Sequence, residues 1–214
     1  MTRHATPANP PPDCALCPRL AGYRAENRTK EPLWHNAPVP SFGALDAELL
    51  IVGLAPGVRG ANRTGRPFTG DYAGVLLYQT LIKFGFATGQ YLENPDDGLH
   101  LSNCRVTNAV RCVPPQNLPT PAENKSCNPF LVAEIAAMPR LRAILALGTV
   151  AHAMSLRALG ARAAAHKFAH GAVHETDAIR LFNSYHVSRY NTNTRRLTPA
   201  MFEDVVENIR SFIK

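Results

Sequence analysis

Four cysteines and a glycine-rich segment carry the most chemical information in this sequence. Cys14 and Cys17 form a C-x2-C pair, and Cys112 and Cys127 form a second pair with 14 residues between them and a Pro-rich stretch inside. Four thiolates with one short and one wide spacing suit zinc or an iron–sulfur cluster, and spacing alone does not choose between them. A zinc ribbon would want two short pairs. The bland alternative is a chance C-x2-C with Cys112 and Cys127 packed in a core. Against it, three of the four lie in loops or beside element ends with proline neighbours. Cys104 opens an apolar segment and reads as core.

The glycine-rich segment runs from Gly53-Leu54-Ala55-Pro56-Gly57 through Gly60-Ala61-Asn62-Arg63-Thr64-Gly65-Arg66-Pro67-Phe68-Thr69-Gly70-Asp71. It follows an apolar run, Leu49 to Val52, and a loop at the carboxyl end of a first strand is where open α/β sheets bind ligands. A dinucleotide fingerprint fails, because the pattern is not G-x-G-x-x-G and Pro56 stands where the helix should begin. A P-loop fails for want of G-K-[ST].

Elements able to position these residues are readable. Leu49–Leu54, Arg105–Val110, Ala143–Leu147 and Ile179–Phe182 have strand patterns. Between and after them, Asp71 caps a helix carrying Val75, Tyr78, Leu81 and Ile82. Thr120-Pro121-Ala122-Glu123 is a capping box opening a helix towards Met138. Thr149–Leu159 is a third helix, and Thr198-Pro199 starts a fourth with Met201, Phe202, Val205, Val206, Ile209 and Phe212 on its buried face. Strands alternating with helices predict an α/β fold, a three-layer αβα sandwich around a central four-stranded, mostly parallel sheet.

The chain has 214 residues, 45% hydrophobic and 18% charged, enough for one core, and nothing in that composition marks it as disordered or disulfide-dense. One domain is expected over 14–214, after a Pro-rich segment 1–13 expected to be disordered. Lys and Arg number 23 against 16 Asp and Glu, and the excess sits in residues 111–214, which carry +13 and −7. Such a balance points to an anionic partner. No secretory or membrane segment is visible, so the reading is a reducing cytoplasm, where cysteines favour a metal site, a reactive thiol or core packing over disulfides.

The motifs taken together are specific. The Gly53–Asp71 segment, Asn108-Ala109-Val110-Arg111-Cys112 leading through Pro114-Pro115 and Asn117 to Cys127-Asn128-Pro129, the Cys14/Cys17 pair, and His186-Val187-Ser188 with Leu197-Thr198-Pro199 resemble the type 5 (type b) uracil-DNA glycosylases. The resemblance spans nearly the whole chain from residue 14. Type 4 enzymes share the cysteine frame but carry an acid where this chain has Leu54.

The resemblance implies a monofunctional DNA-repair glycosylase that breaks the N-glycosidic bond of uracil, and of deaminated purines, leaving an abasic site. Its implied catalytic residues are Asp71, which holds the attacking water and balances the sugar cation, and His186, which hydrogen-bonds a carbonyl of the departing base. Implied base contacts are Gly53, Ala55, Gly57, Phe68 as a stacking ring, and Asn108 as the amide that reads uracil. Arg189, Tyr190, Arg195 and Arg196 are implied DNA contacts, although Val187 and Arg189 replace expected prolines and Arg195 stands where a glycine is common. A [4Fe-4S] cluster on Cys14, Cys17, Cys112 and Cys127 is implied as a structural tie. A monomer working on DNA beside the nucleoid, with no membrane partner, completes the expectation. His152, His166, His170 and His174 belong to no motif and read as packing or surface residues. The competing classes are a metal-braced, non-catalytic DNA-binding module and an electron-transfer protein.

Overall fold

A computed structural model describes residues 9–176 and 179–214. Its central sheet grows from runs with no polar alternation. Leu49–Gly53 (β1), Cys104–Asn108 (β4) and Ala143–Leu147 (β5) are buried at every position, as strands covered on both faces must be. With Arg180–Ser184 (β7) they pair in parallel. The remaining strands are Ala87–Thr88 (β2) and His100–Leu101 (β3), which form a separate antiparallel ribbon, and Val173–Glu175 (β6).

The sheet order is β4-β1-β5-β7-β6, so there are five strands where four were expected. The addition, β6, runs antiparallel to β7 at the edge. It is three residues long with only His174 half-buried, which leaves no apolar run to read.

Seven α-helices are found among the described residues: Pro18–Lys30 (α1), Ala61–Thr64 (α2), Tyr72–Lys83 (α3), Pro121–Ala136 (α4), Thr149–Ala158 (α5), Arg189–Asn193 (α6) and Pro199–Ile213 (α7). Alternate side chains of β1 face opposite layers. Leu49 and Ile51 pack with Leu77 and Leu81 of α3 and Phe202, Val206 and Ile209 of α7. Leu50 and Val52 pack with Leu131 of α4 and Leu156 of α5. The expected sandwich is therefore present. The capping box at Thr120 and Glu123 forms as read, and Thr198 caps α7.

One polar knot crosses the layers. Glu134 of α4, fully buried, accepts from Arg105 Nε of β4 at 2.8 Å and from the buried Arg111 guanidinium. Arg111 also reaches Asn9 Oδ1 at 3.2 Å, and Asp13 pairs with Arg28 at 2.7 Å. Residues 9–13 of the segment expected to be disordered thus lie against the body, while residues 1–8 fall outside the described residues. No helix among the described residues is long and apolar enough to cross a membrane.

Candidate active site

Parallel strands deliver their carboxyl ends to one rim, and the last paired residues of β1 and β4 are Gly53 and Asn108, side by side. Two residues past β7 stands His186. A cleft of about 580 Å³ opens there, lined by Leu54, Ala55, Gly57, Asp71, Tyr72, Ala73, Asn117, His186, Ser188 and Arg189. Asp71 and His186 thus share one cavity. A larger, open groove of about 990 Å³ lies between α4 and α5 and contains none of the candidate residues.

Asp71 is the N-cap of α3. Its Oδ1 accepts from Ala73 N at 3.2 Å, and its Oδ2 rests against Gly57 and Gly60, where a Cβ would stand 3.1 Å and 2.3 Å away. Burial raises its pKa above the ordinary value of 3.8, against the lowering effect of the helix N–H groups. His186 opens part of its surface to the cleft while protein packs around the rest, and that desolvation lowers its pKa to about 4. At neutral pH the imidazole is uncharged.

Phe68 and Asn108 are buried behind this pair, outside the lining of the cleft. The Phe68 and His186 rings lie 6.0 Å apart and 29° from parallel. A Cβ on Gly53 would come within 2.4 Å of both Asn108 Oδ1 and Phe68 Cζ, so glycine is what lets the ring and the amide meet over the strand. Asn108 is 3% exposed, and its Oδ1 is buried with no hydrogen-bond partner. A buried acceptor left empty costs about 1–3 kcal/mol and suits a site that waits for a donor.

Of the basic residues after His186, Arg189 lines the cleft. The stretch between β7 and α7 contains α6, with Ser188 as its N-cap and Asn191 Nδ2 donating to His186 O at 2.8 Å. Arg189 lies over the Tyr72 ring at 5.2 Å and Arg196 over Tyr185 at 4.5 Å. Tyr190 is 72% exposed. Arg195 takes φ +56°, the left-handed region that glycine adopts most readily. Asn117, Tyr72 and Ser188 line the cleft without having been assigned roles. A signal for Asn117 existed in its Pro-Pro-Gln-Asn context, and the backbone shows it: Gln116 and Asn117 are successive left-handed residues, φ +55° and +56°.

Comparison with known proteins decides what this arrangement belongs to: the Uracil DNA glycosylase superfamily model matches residues 40–210. The chain belongs to the uracil-DNA glycosylase superfamily. Within it, the chain is 45% identical to the type-5 uracil-DNA glycosylase of Thermus thermophilus over 200 residues, covering 90% of each chain. It is 41% identical to the type-5 uracil-DNA glycosylase of Pyrobaculum aerophilum, over 91% of this chain and 86% of that one. The type-4 uracil-DNA glycosylase of Thermotoga maritima is 31% identical over 80% of this chain and 81% of its own. The type-5 grouping agrees with Leu54 in place of an acid.

In this member of the superfamily, Cys14, Cys17, Cys112 and Cys127 line a single small pocket with Leu20, Val110 and Phe130. Donors reach the sulfurs: Arg24 Nη1 to Cys112 Sγ at 3.5 Å and Arg111 N to Cys127 Sγ at 3.4 Å. Burial pushes the Cys112 thiol up to about 12 and Cys127 up to about 11. Among the described residues no group of three or more His, Cys, Asp or Glu is disposed to hold a metal ion. What the geometry offers is four thiols around one apolar pocket with N–H donors aimed at two of them, a donor set that fits a thiolate-ligated cluster. Cys104 is buried in the separate core beneath α3. His152 is likewise packed, its ring nitrogens on Asn183 Oδ1 and His166 O.

Proposed function

We propose that this protein hydrolyses the N-glycosidic bond of uracil in DNA and leaves an abasic site. The observation that carries the reading is one cleft shared by a half-buried carboxylate and a neutral imidazole, with an unpartnered buried amide oxygen beside the Phe68 ring that stacks on that imidazole. A base can reach these groups only after leaving the duplex stack. Once extruded, it stacks on Phe68, and Asn108 accepts N3–H at Oδ1 while its Nδ2 donates to O4. Cytosine presents the opposite pattern and leaves two buried groups unpaired, a penalty that discriminates strongly. A deaminated purine offers the same pair through N1–H and O6.

Bond breaking leaves positive charge on the sugar and negative charge on the base. Asp71 answers the first: with Oδ1 tied to the helix, Oδ2 holds the attacking water and faces the sugar cation. His186 answers the second by donating an N–H to a base carbonyl as charge develops. A fixed donor of this kind contributes about 3–4 kcal/mol. Leu54 brings no charge and excludes water. Backbone at Ala55 and Gly57 approaches the base because neither side chain obstructs it. Arg189, Tyr190, Arg195 and Arg196 bear on the phosphates and groove of the strand, which makes binding salt-dependent.

A [4Fe-4S] cluster on Cys14, Cys17, Cys112 and Cys127 is supported by their convergence. When bound, it supplies iron–thiolate bonds that join the N-terminal segment to the Pro-rich loop, and no proton or base is handled there. The protein acts as a single-domain monomer over 14–214, in the cytoplasm beside the nucleoid. The test is direct. Purified protein should release free uracil from uracil-containing DNA, and Asp71→Ala should abolish release while keeping DNA affinity. Tight DNA binding without base release would favour a non-catalytic module.

A further inference from the structure

The segment between the two short strands of the ribbon, Tyr91 to Leu99, belongs to no motif, yet it braces the loop that carries both Phe68 and Asp71. Phe68 takes φ +52°, a conformation that costs a bulky L residue roughly 1–2 kcal/mol and persists only where surrounding contacts enforce it. Those contacts are on hand. Tyr91 Oη donates to Phe68 O at 3.0 Å and accepts from Gly70 N at 3.4 Å, spanning Thr69. Tyr78 Oη donates to Pro67 O at 2.6 Å. Gly74, in the first turn of α3, has no side chain because a Cβ there would lie 1.8 Å from Phe68 O and 2.2 Å from Tyr91 Oη.

The tyrosine is itself anchored. Its ring packs on Tyr78 at 4.9 Å. The buried Arg66 guanidinium lies 5.9 Å from the Tyr91 ring and forks onto both oxygens of Asp97 at 2.8 Å. Asp97 also accepts from Leu92 N and Leu99 N at 2.9 and 3.1 Å. Burial alone would raise its pKa, but the arginine fork and the two N–H groups outweigh it and hold the carboxyl at about 2. The carboxylate therefore stays ionised at neutral pH.

We propose that Tyr91 is a positioning residue: its hydroxyl, bonded on one side to Phe68 and on the other to Gly70, fixes the base-stacking ring and the adjoining Asp71 carboxylate relative to one another. It does not line the cleft and acts through the backbone of residues 68 and 70. This inference rests on the proposed reading of the cleft.

Tyr91→Phe removes one oxygen and leaves the ring packing in place. In the full chain, single-turnover uracil release should slow by about tenfold, since misplacement of reacting groups by a fraction of an ångström is costly. Affinity for abasic-site DNA, which needs no stacked base, should stay unchanged. In a Phe68→Ala background the same substitution should lose part of its effect, because the ring it positions is gone and only the bond through Gly70 towards Asp71 remains to be lost. Rates are compared at a temperature where circular dichroism shows every variant folded. Wild-type speed in Tyr91→Phe, or an equal loss in both backgrounds, would overturn the proposal. Absence of uracil release from the wild-type chain would instead overturn the reading of the cleft.

Discussion

Gly60 offers a way to move the Asp71 carboxylate without altering Asp71. A Cβ at Gly60 would stand 2.3 Å from Oδ2, 2.9 Å from Cγ and 3.1 Å from Cβ of Asp71. Ordinary contact begins at 3.4 Å, so Oδ2 must retreat by about 1.1 Å, and a shift of about 1 Å at reacting groups can cost about a hundredfold in rate. Gly57 supplies an internal scale: its Cβ would stand 3.1 Å from the same oxygen, and about 0.3 Å of relief suffices. In rapid-quench assays under single-turnover conditions, Gly60→Ala should cut the rate of uracil release by about a hundredfold, or about 2.7 kcal/mol. Gly57→Ala should cost less than about tenfold on the same argument. Both variants should keep wild-type affinity for abasic-site DNA. The reasoning fails if Gly60→Ala turns over like wild type, or if Gly57→Ala is the slower of the two.

The pH profile of uracil release should show an acid limb above the ordinary carboxylate range, because Asp71 must be ionised and burial raises its pKa; a limb that survives in Asp71→Asn would contradict this. His186 binds its proton more readily unfolded, near 6.5, than folded, near 4. Stability should therefore fall as pH drops through that window, by at most about 3 kcal/mol, and urea titrations of His186→Gln should lack that slope. Glu134→Ala removes the carboxylate that two buried guanidinium groups share and should destabilise the fold by about 3–5 kcal/mol in urea melts. Arg195→Gly relieves a left-handed arginine and should raise stability by about 1 kcal/mol while weakening DNA binding, with a shallower salt dependence in fluorescence anisotropy.

The buried parallel strands and the long capped helices were legible because both announce themselves locally. Continuous apolar runs such as Leu49–Val52 mean strands covered on two faces, and Thr120 to Glu123 is a complete capping signal. Helix α1 went unread because two of its three buried residues, Arg24 and Asn27, are polar, so no apolar stripe exists. Strand β6 was too short and too polar, and α6 is a five-residue helix set by Ser188. At the site, the glycine-rich loop and the strand-end histidine were visible, since a parallel sheet gathers its ligands at carboxyl ends. Asn117 was seen as part of a motif but not as cleft lining, because only two consecutive left-handed residues swing it there. Tyr91 and Asp97 were silent: their meaning depends on Arg66 and Phe68, 31 and 23 residues away.

Asp71 both begins α3 and faces the cleft. As a helix cap alone, serine, threonine or asparagine would serve it about equally well, so selection for a stable fold would let this position drift among them. Under the proposed function, drift to one of them would leave a well-folded relative that binds the lesion without excising it. On that reading, retention of the acid at this one codon marks selection for excision rather than for folding.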